Sequence, residues 1–283
     1  MVDIGGRRLR LVCEGPAQGS PTVLFESGAF GFAADWSAVQ QKLAARGLRS
    51  CAYDRAGMGF SDPGPQPRDG LAVSADLERL LSAAGEHGPF VYVGHSMAGL
   101  YARLFVARNL DSVQGVVLVD AATPEAADLP DVRTFVGHFA TLSNLASWGA
   151  QAGLLKPLAT VFGDKIGVTD DALAEKRWAF GYGPHNRTSA QEVEQWMATS
   201  EAAAKAGPFP PELPVAVVTA GDGRAGWKAV QAAPARASRH GYVENVAEAD
   251  HASVLGQRFA DGVVRGIDHV LAAIRGPAVR AAE

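Results

Sequence analysis

Residues 89–105, Pro-Phe-Val-Tyr-Val-Gly-His-Ser-Met-Ala-Gly-Leu-Tyr-Ala-Arg-Leu-Phe, leave few folds open to this chain. Phe90 to Val93 is a short apolar run suited to a buried strand, and from Met97 onward Leu100, Leu104 and Phe105 recur at helical spacing. Ser96 therefore stands where a strand turns into a helix. A serine on so tight a turn is forced into a strained backbone conformation that lifts its hydroxyl clear of the sheet. The positions two before and two after it must be small for strand and helix to approach, and Gly94 and Ala98 meet that demand. The pattern is G-x-S-x-G with alanine as its last member, followed by Gly99.

The rest of the chain supplies the matching rhythm. Val2-Asp-Ile and Arg8 to Cys13, separated by Gly5-Gly6, read as a hairpin. Thr22 to Phe25, Arg49 to Tyr53, Phe90 to Val93 and Gly115 to Val119 read as strands, and helical patterns fill the gaps at Asp35 to Arg46, Val73 to Ala84 and after Ser96. Strands that are mostly apolar throughout and alternate with helices predict a largely parallel sheet covered on both faces. After Asp120 the rhythm breaks. Residues 123–211 show only helix-like segments, Val132 to Ala146, Leu154 to Phe162, Asp171 to Phe180 and Ser189 to Ala204, with Thr188 or Ser189 as the expected cap of the last. Sheet logic resumes at Val215 to Thr219. The expected organisation is a core of residues 1–122 and 212–283 carrying an inserted helical cap of residues 123–211.

With 283 residues and 47% hydrophobic composition the chain can bury one large core and still carry that insertion. A formal charge of −4 without charge runs gives no electrostatic case for nucleic acid or for an anionic membrane surface. No stretch approaches the roughly 18 apolar residues of a membrane helix, and the start Met1-Val-Asp-Ile-Gly-Gly lacks a signal peptide's basic and apolar regions, so the expected location is cytoplasmic. The expected state is a monomer or homodimer. Two cysteines, Cys13 and Cys51, make neither a disulfide framework nor a metal site and are expected as buried free thiols. No metal-ligand spacing and no phosphate-cradling glycine signature is present, so no cofactor is expected.

A serine hydroxyl needs a base within hydrogen-bond reach and a third group to hold that base. Of seven histidines, His251 alone falls in a loop between the final strand pattern and the final helix, at the sheet's carboxyl edge, where loops from different strands converge. His95 adjoins the serine and points away from it. For the acid, Asp222 follows the strand Val215 to Val218 and is preferred, with Asp120, closing the strand after the elbow helix, as the alternative. Asp250 reads as a local loop group.

These features together resemble the α/β-hydrolase fold along nearly the whole chain, in a bacterial serine hydrolase or esterase branch. The matching stretches are Glu26-Ser27-Gly28-Ala29-Phe30-Gly31, Asp54-Arg55-Ala56-Gly57-Met58-Gly59-Phe60-Ser61-Asp62 and the elbow Gly94 to Gly99. The resemblance implies a mostly parallel eight-stranded sheet with a cap, and it puts the loop after Phe25 in the oxyanion position. The backbone N–H groups of Met97 and Ala29 are then the expected oxyanion donors. The Asp54 to Asp62 loop, with Gly57 and Gly59, is expected to buttress the site as a self-bonded turn, with Arg55 paired to a loop carboxylate.

Eight cap aromatics, Phe135, Phe139, Trp148, Phe162, Trp178, Phe180, Tyr182 and Trp196, are expected in part to pack the cap on itself. Phe30, Phe139, Trp178 and Tyr182 are the candidate pocket residues, with Gly181 and Gly183 able to let the Tyr182 loop move. The expected function is metal-independent hydrolysis of a carboxylic ester, lactone or thioester of a moderately hydrophobic small molecule through an acyl-enzyme on Ser96. Acyl transfer, peptidase or lyase chemistry with the same residues, or ligand binding without turnover, are the alternatives. A serine in the nucleophile position argues against haloalkane dehalogenase or epoxide hydrolase chemistry, which uses an aspartate.

Overall fold

The computed structural model describes residues 1–17, 21–221, 223 and 225–276. Its main sheet has seven strands, β3 (Leu11–Glu14), β4 (Thr22–Glu26), β5 (Ser50–Tyr53), β6 (Phe90–His95), β7 (Val113–Val119), β8 (Val215–Ala220) and β9 (Gly241–Val246), in the order β3-β5-β4-β6-β7-β8-β9. Only β3 runs antiparallel to its neighbour. The eighth strand expected from the resemblance is absent from this sheet among the described residues. The N-terminal run instead splits at Arg10: β1 (Val2–Asp3) and β2 (Arg8–Leu9) pair as a separate ribbon, and β3 alone joins the sheet. Arg10 N–H donates to Ser61 Oγ at 2.9 Å, which takes it out of the ladder.

Side chains alternate through this sheet with the period of two that strands impose. Val23, Phe25, Val91, Val93, Val117, Val119, Ala216 and Val218 point to one face, where α1 (Ser37–Ala44) and α10 (Ala260–Arg275) bury Val39, Leu43, Val263 and Ile267. Leu24, Phe90, Tyr92, Val116, Leu118, Val215 and Val217 point to the other, against α2 (Gly70–Ala84), α3 (Ala98–Arg108) and α9 (Ala225–Ala237). Both faces are covered, which is why the strands read as unbroken apolar runs. Because the strands are parallel, the loops after β4, β6, β7 and β9 gather at one edge.

Between β7 and β8 the described residues form helices and no strand: α4 (Pro130–Gln151), α5 (Ala159–Phe162), α6 (Asp170–Gly181), α7 (Gly183–Glu194) and α8 (Trp196–Lys205). The expected helix start at Thr188 or Ser189 lies in the middle of α7. The physical start is Pro184, which occupies the first turn after Tyr182 and needs no N–H acceptor there. Ser189 Oγ donates back to His185 O at 3.0 Å and so caps nothing. Tyr182 is a single extended residue between two helices, and Gly181 and Gly183 are small because Lys156 and Gln151 lie against them.

Cys13 and Cys51 are not free thiols. They face each other in the antiparallel register of β3 and β5 with a Cα–Cα distance of 4.1 Å and form a disulfide. Strand pairing, invisible in the spacing of two cysteines, brings them together. The metal-compatible cluster found among the described residues, Cys13, Cys51 and Glu86, has both sulfurs committed to that bond.

Candidate active site

The turn after β6 carries Ser96 at φ 57°, in the left-handed region that a non-glycine residue enters only when its surroundings enforce it. The enforcement is visible. Ser96 N–H donates to Val119 O on the neighbouring strand, and Ser96 O accepts from Ala122 N–H at 2.8 Å. A Cβ on Gly94 would stand 3.0 Å from Ala98 O, and one on Gly99 only 2.2 Å from Ala122 O. Gly94 and Gly99 are therefore the two glycines this turn requires, and the Ala98 methyl fits because it faces Gly94, which has no side chain.

His251 reaches this serine from the loop between β9 and α10. Its Nε2 lies 3.0 Å from Ser96 Oγ and its Nδ1 lies 2.6 Å from Asp120 Oδ2. The acid at His251 is thus the alternative, Asp120, and the preferred Asp222 lies outside the described residues. Asp120 directly follows β7, which lies beside β6, at φ 42°, a conformation that aims its carboxylate across the strand ends. Its other oxygen accepts from Gln231 Nε2 at 3.0 Å. Burial pushes the Asp120 carboxyl up, but the hydrogen bond and charge of His251 and the bond from Gln231 outweigh it, leaving the group below the usual carboxylate range. Asp120 is therefore an anion at neutral pH.

Two groups hold the histidine loop. Asp250 Oδ1 accepts from Ala252 N–H and Ser253 N–H at 2.9 and 2.8 Å, so it is the local loop group expected from its position. His95 is not the base and serves the loop instead, its Nε2 bonding His251 O at 2.8 Å. Burial lowers the His95 pKa to about 3, so this bond comes from a neutral ring.

The loop after β4 lies on the serine. A Cβ on Gly28 would stand 2.6 Å from Ser96 Cβ, so only glycine allows Ala29 to follow at that distance. Arg55 holds the loop from behind. It donates to Ser27 O at 2.6 Å and Gly28 O at 2.8 Å, and pairs with Glu26 on β4 and Glu192 on α7, all within a fully buried cluster. The expected partner was a carboxylate of its own loop; the structure instead gives Arg55 one from the core and one from the insertion. The Asp54 to Asp62 loop bonds to itself as expected, Asp54 accepting from Phe60 N–H at 2.9 Å and Ser61 Oγ donating to Asp54 O, and Asp54 also accepts from Ala33 N–H, outside the loop, at 2.9 Å.

Met97 N–H stands at the N-terminus of α3, where first-turn N–H groups have no acceptor within the helix. Ser96 and His251 open into a cavity of about 910 Å³ whose walls are Leu129, Val132, Phe135, Phe139, Trp196 and Trp227. Of the expected pocket residues only Phe139 is among its lining. Phe30 packs behind Phe139, ring centroids 6.2 Å apart. Trp178 and Tyr182 stack on each other at 4.4 Å, with Phe60 on the far side of Trp178, away from the serine. They sit there because α6 is docked by Glu175 on Arg10 and Lys176 on Asp35, which turns its aromatic face toward the β3 side of the molecule. The 129–132 stretch and Trp227, which carry no motif, were not legible as lining from the sequence.

Residues 21–255 match the model of the alpha/beta hydrolase fold. An uncharacterised protein of Schizosaccharomyces pombe is 29% identical over 186 residues, which are 61% of this chain and 31% of that protein. The chain spans about a third or less of the length of the first curated relatives it matches. Fungal as well as Bacillus subtilis proteins are matched, so the likeness is not confined to bacteria. Among solved structures, Cfl2 from Burkholderia cenocepacia superposes with a TM-score of 0.72 at 22% identity, covering 92% of each chain. A thermophilic esterase from Thermogutta terrifontis superposes with a TM-score of 0.68 at 19% identity, covering 93% of this chain and 94% of that one. These likenesses concern the fold. Family match and core architecture agree: the chain belongs to the α/β-hydrolase fold family.

Proposed function

We propose that this protein is a serine hydrolase of carboxylic esters, and that the observation carrying the reading is His251 bridging Ser96 Oγ and Asp120 Oδ2 at 3.0 and 2.6 Å. Ser96 Oγ attacks the substrate carbonyl as His251 Nε2 takes its proton. Asp120, bonded to Nδ1, fixes the tautomer and stabilises the imidazolium that forms. The negative oxygen of the tetrahedral intermediate rests on the N–H groups of Met97 and Ala29, and Arg55 keeps the Ala29 loop in place through the Ser27 and Gly28 carbonyls. His251 returns the proton to the leaving alcohol, then activates the water that releases the acid from Ser96.

The cavity supports a substrate with a sizeable apolar group, because its walls beyond Ser96 and His251 are mostly aliphatic and aromatic, with Asp131 as a charged lining residue. Lactones and thioesters fit the same chemistry, and an enol-lactonase is among the structures that share the fold. Epoxide hydrolases share it too. Their attacking aspartate has no counterpart here, where the elbow carries Ser96.

The test is hydrolysis of a chain-length series of p-nitrophenyl esters by the wild type, Ser96→Ala, His251→Ala and Asp120→Asn. Loss of turnover by about 10⁴ or more in each variant, with the fold retained, is the expected result. An Asp120→Asn protein that keeps wild-type turnover removes Asp120 from the mechanism; an active Ser96→Ala protein removes the proposal.

A further inference from the structure

Helix α4 carries apolar side chains on its outer side as well as its inner one. Its inward face, against α7, buries Val136, Ser143, Ser147 and Ala150. Val132 and Phe139 also pack inward, but four large apolar side chains stand in water: Phe135 is 56% exposed, Leu142 62%, Leu145 63% and Trp148 74%. At 100° per residue Leu145 and Trp148 project away from the buried set, and Phe135 and Leu142 flank it. Beyond its end Leu154, Val161 and Phe162 are exposed as well. From Thr134 to Leu155 there is no Asp, Glu, Lys or Arg. The outward threonines hide their polarity, Thr134 Oγ1 donating to Pro130 O and Thr141 Oγ1 to Gly137 O. Single exposed apolar residues need no explanation, but a charge-free row of them does.

The row begins at the catalytic cavity. Leu129 and Phe135 line that cavity and are themselves exposed, so its mouth adjoins the outer face of α4, with Asp131 at the rim. From Phe135 to Trp148 the row runs for about 20 Å at 1.5 Å per residue.

We propose that this face seats the protein on an electrically neutral lipid–water interface, from which apolar ester chains enter the cavity past Phe135. The part about entry rests on the hydrolase reading; the part about seating does not. Three observations select this occupant. Cationic side chains, which draw helices to anionic headgroups, are missing from the face, and the chain's own charge is −4. A protein partner would be expected to meet a polar rim and roughly one hydrogen bond per 100–200 Å² of interface, whereas the exposed polar side chains between Phe135 and Trp148 are His138 and Thr141, the latter bonded back to Gly137 O. A second copy set on this face would cover the mouth, since Leu129 and Phe135 belong to both, whereas a lipid surface would supply substrate there.

The experiment is flotation of the purified chain with phosphatidylcholine vesicles, comparing wild type, Ser96→Ala and the double variant Leu145→Ser/Trp148→Ser, neither residue of which lines the cavity. Wild type and Ser96→Ala are expected to float alike, with tryptophan emission shifted to the blue. The double variant should bind about tenfold or more weakly, equivalent to about 1.4 kcal/mol, lose most of the blue shift, and hydrolyse a soluble short-chain ester at the wild-type rate. Binding that needs phosphatidylserine, or that the double variant retains, overturns the proposal. So does a wild type that stays off vesicles and forms a dimer that the double variant abolishes, which would assign the face to a second copy. If Ser96→Ala floats but wild type hydrolyses no ester, the interface stands and the hydrolase reading falls.

Discussion

Helices α4 and α7 pack against each other in one insertion and use opposite means to stay there. Helix α7 is polar by sequence and buried by position. His185 Nδ1 accepts from Gly59 N–H at 3.0 Å, its ring also bonds the Phe30 backbone, Ser189 contacts Met58, and Glu192 pairs with Arg55. A Cβ on Gly57 would strike Thr188, so the core loop is shaped to receive this helix. Helix α4 is apolar by sequence and, besides packing Val136 and Phe139 inward, presents Phe135, Leu142, Leu145 and Trp148 to solvent. The difference teaches that hydropathy gives the phase of a stripe and not the direction it faces. Where every polar group finds a partner, a polar stripe can face inward.

Breaking α7's attachment should have the largest effect. Arg55→Met leaves Glu26 and Glu192 buried without their cation, and loss of one partner from such a cluster costs about 3–5 kcal/mol. A fall in the urea midpoint together with a lower kcat on ester substrates is expected, because Ser27 and Gly28 carbonyls lose their donor; an unchanged midpoint would show that α7 is not held by this cluster. Enlarging the small inward face of α4 comes next. Ser147→Leu forces a larger side chain against α7 and should cost about 1–3 kcal/mol by the same measurement.

A pH series sharpens the comparison further. Burial lowers the His185 pKa to about 3, against an unfolded value of 6.5. Between those values the unfolded chain binds the proton and the folded one does not, so His185 makes stability fall as pH drops from about 6.5 toward 3. Asp54, pushed up to about 6 by burial, acts in the opposite sense over part of that window. The difference between wild type and His185→Gln isolates the histidine. The variant should lose less stability than wild type between pH 6 and pH 4, and parallel curves would show that His185 is not held neutral. The smallest effect belongs to the outer face: Leu145→Ser should leave the unfolding free energy in urea within about 0.5 kcal/mol of wild type.

Much of this was readable in the residues. The elbow follows from an apolar run meeting helical spacing at Ser96, and His251 follows from its place after the last strand. The acid did not follow, because Asp120 and Asp222 both close a strand pattern. Asp120 reaches His251 because β7 lies beside β6 and because it takes a left-handed backbone, and neither fact is a property of composition or spacing. Trp178 and Tyr182 were misplaced for a related reason: the face α6 presents is decided by Glu175 and Lys176 finding Arg10 and Asp35, residues more than a hundred positions away. The disulfide depended on the register of β3 with β5. Its presence also bears on the expected cytoplasmic location, since such bonds persist mainly in oxidising compartments. No helix among the described residues is long and apolar enough to cross a membrane.

The central claim is that Ser96 carries the acyl group during turnover. The most direct measurement is acid quenching of the protein while it turns over a p-nitrophenyl ester, followed by mass analysis of the peptide containing Gly94 to Gly99. An acyl mass on Ser96 that appears with the burst of p-nitrophenol and is absent in Ser96→Ala is the predicted result. Steady turnover with an unmodified Ser96 peptide, or with the acyl group on another residue, would contradict it.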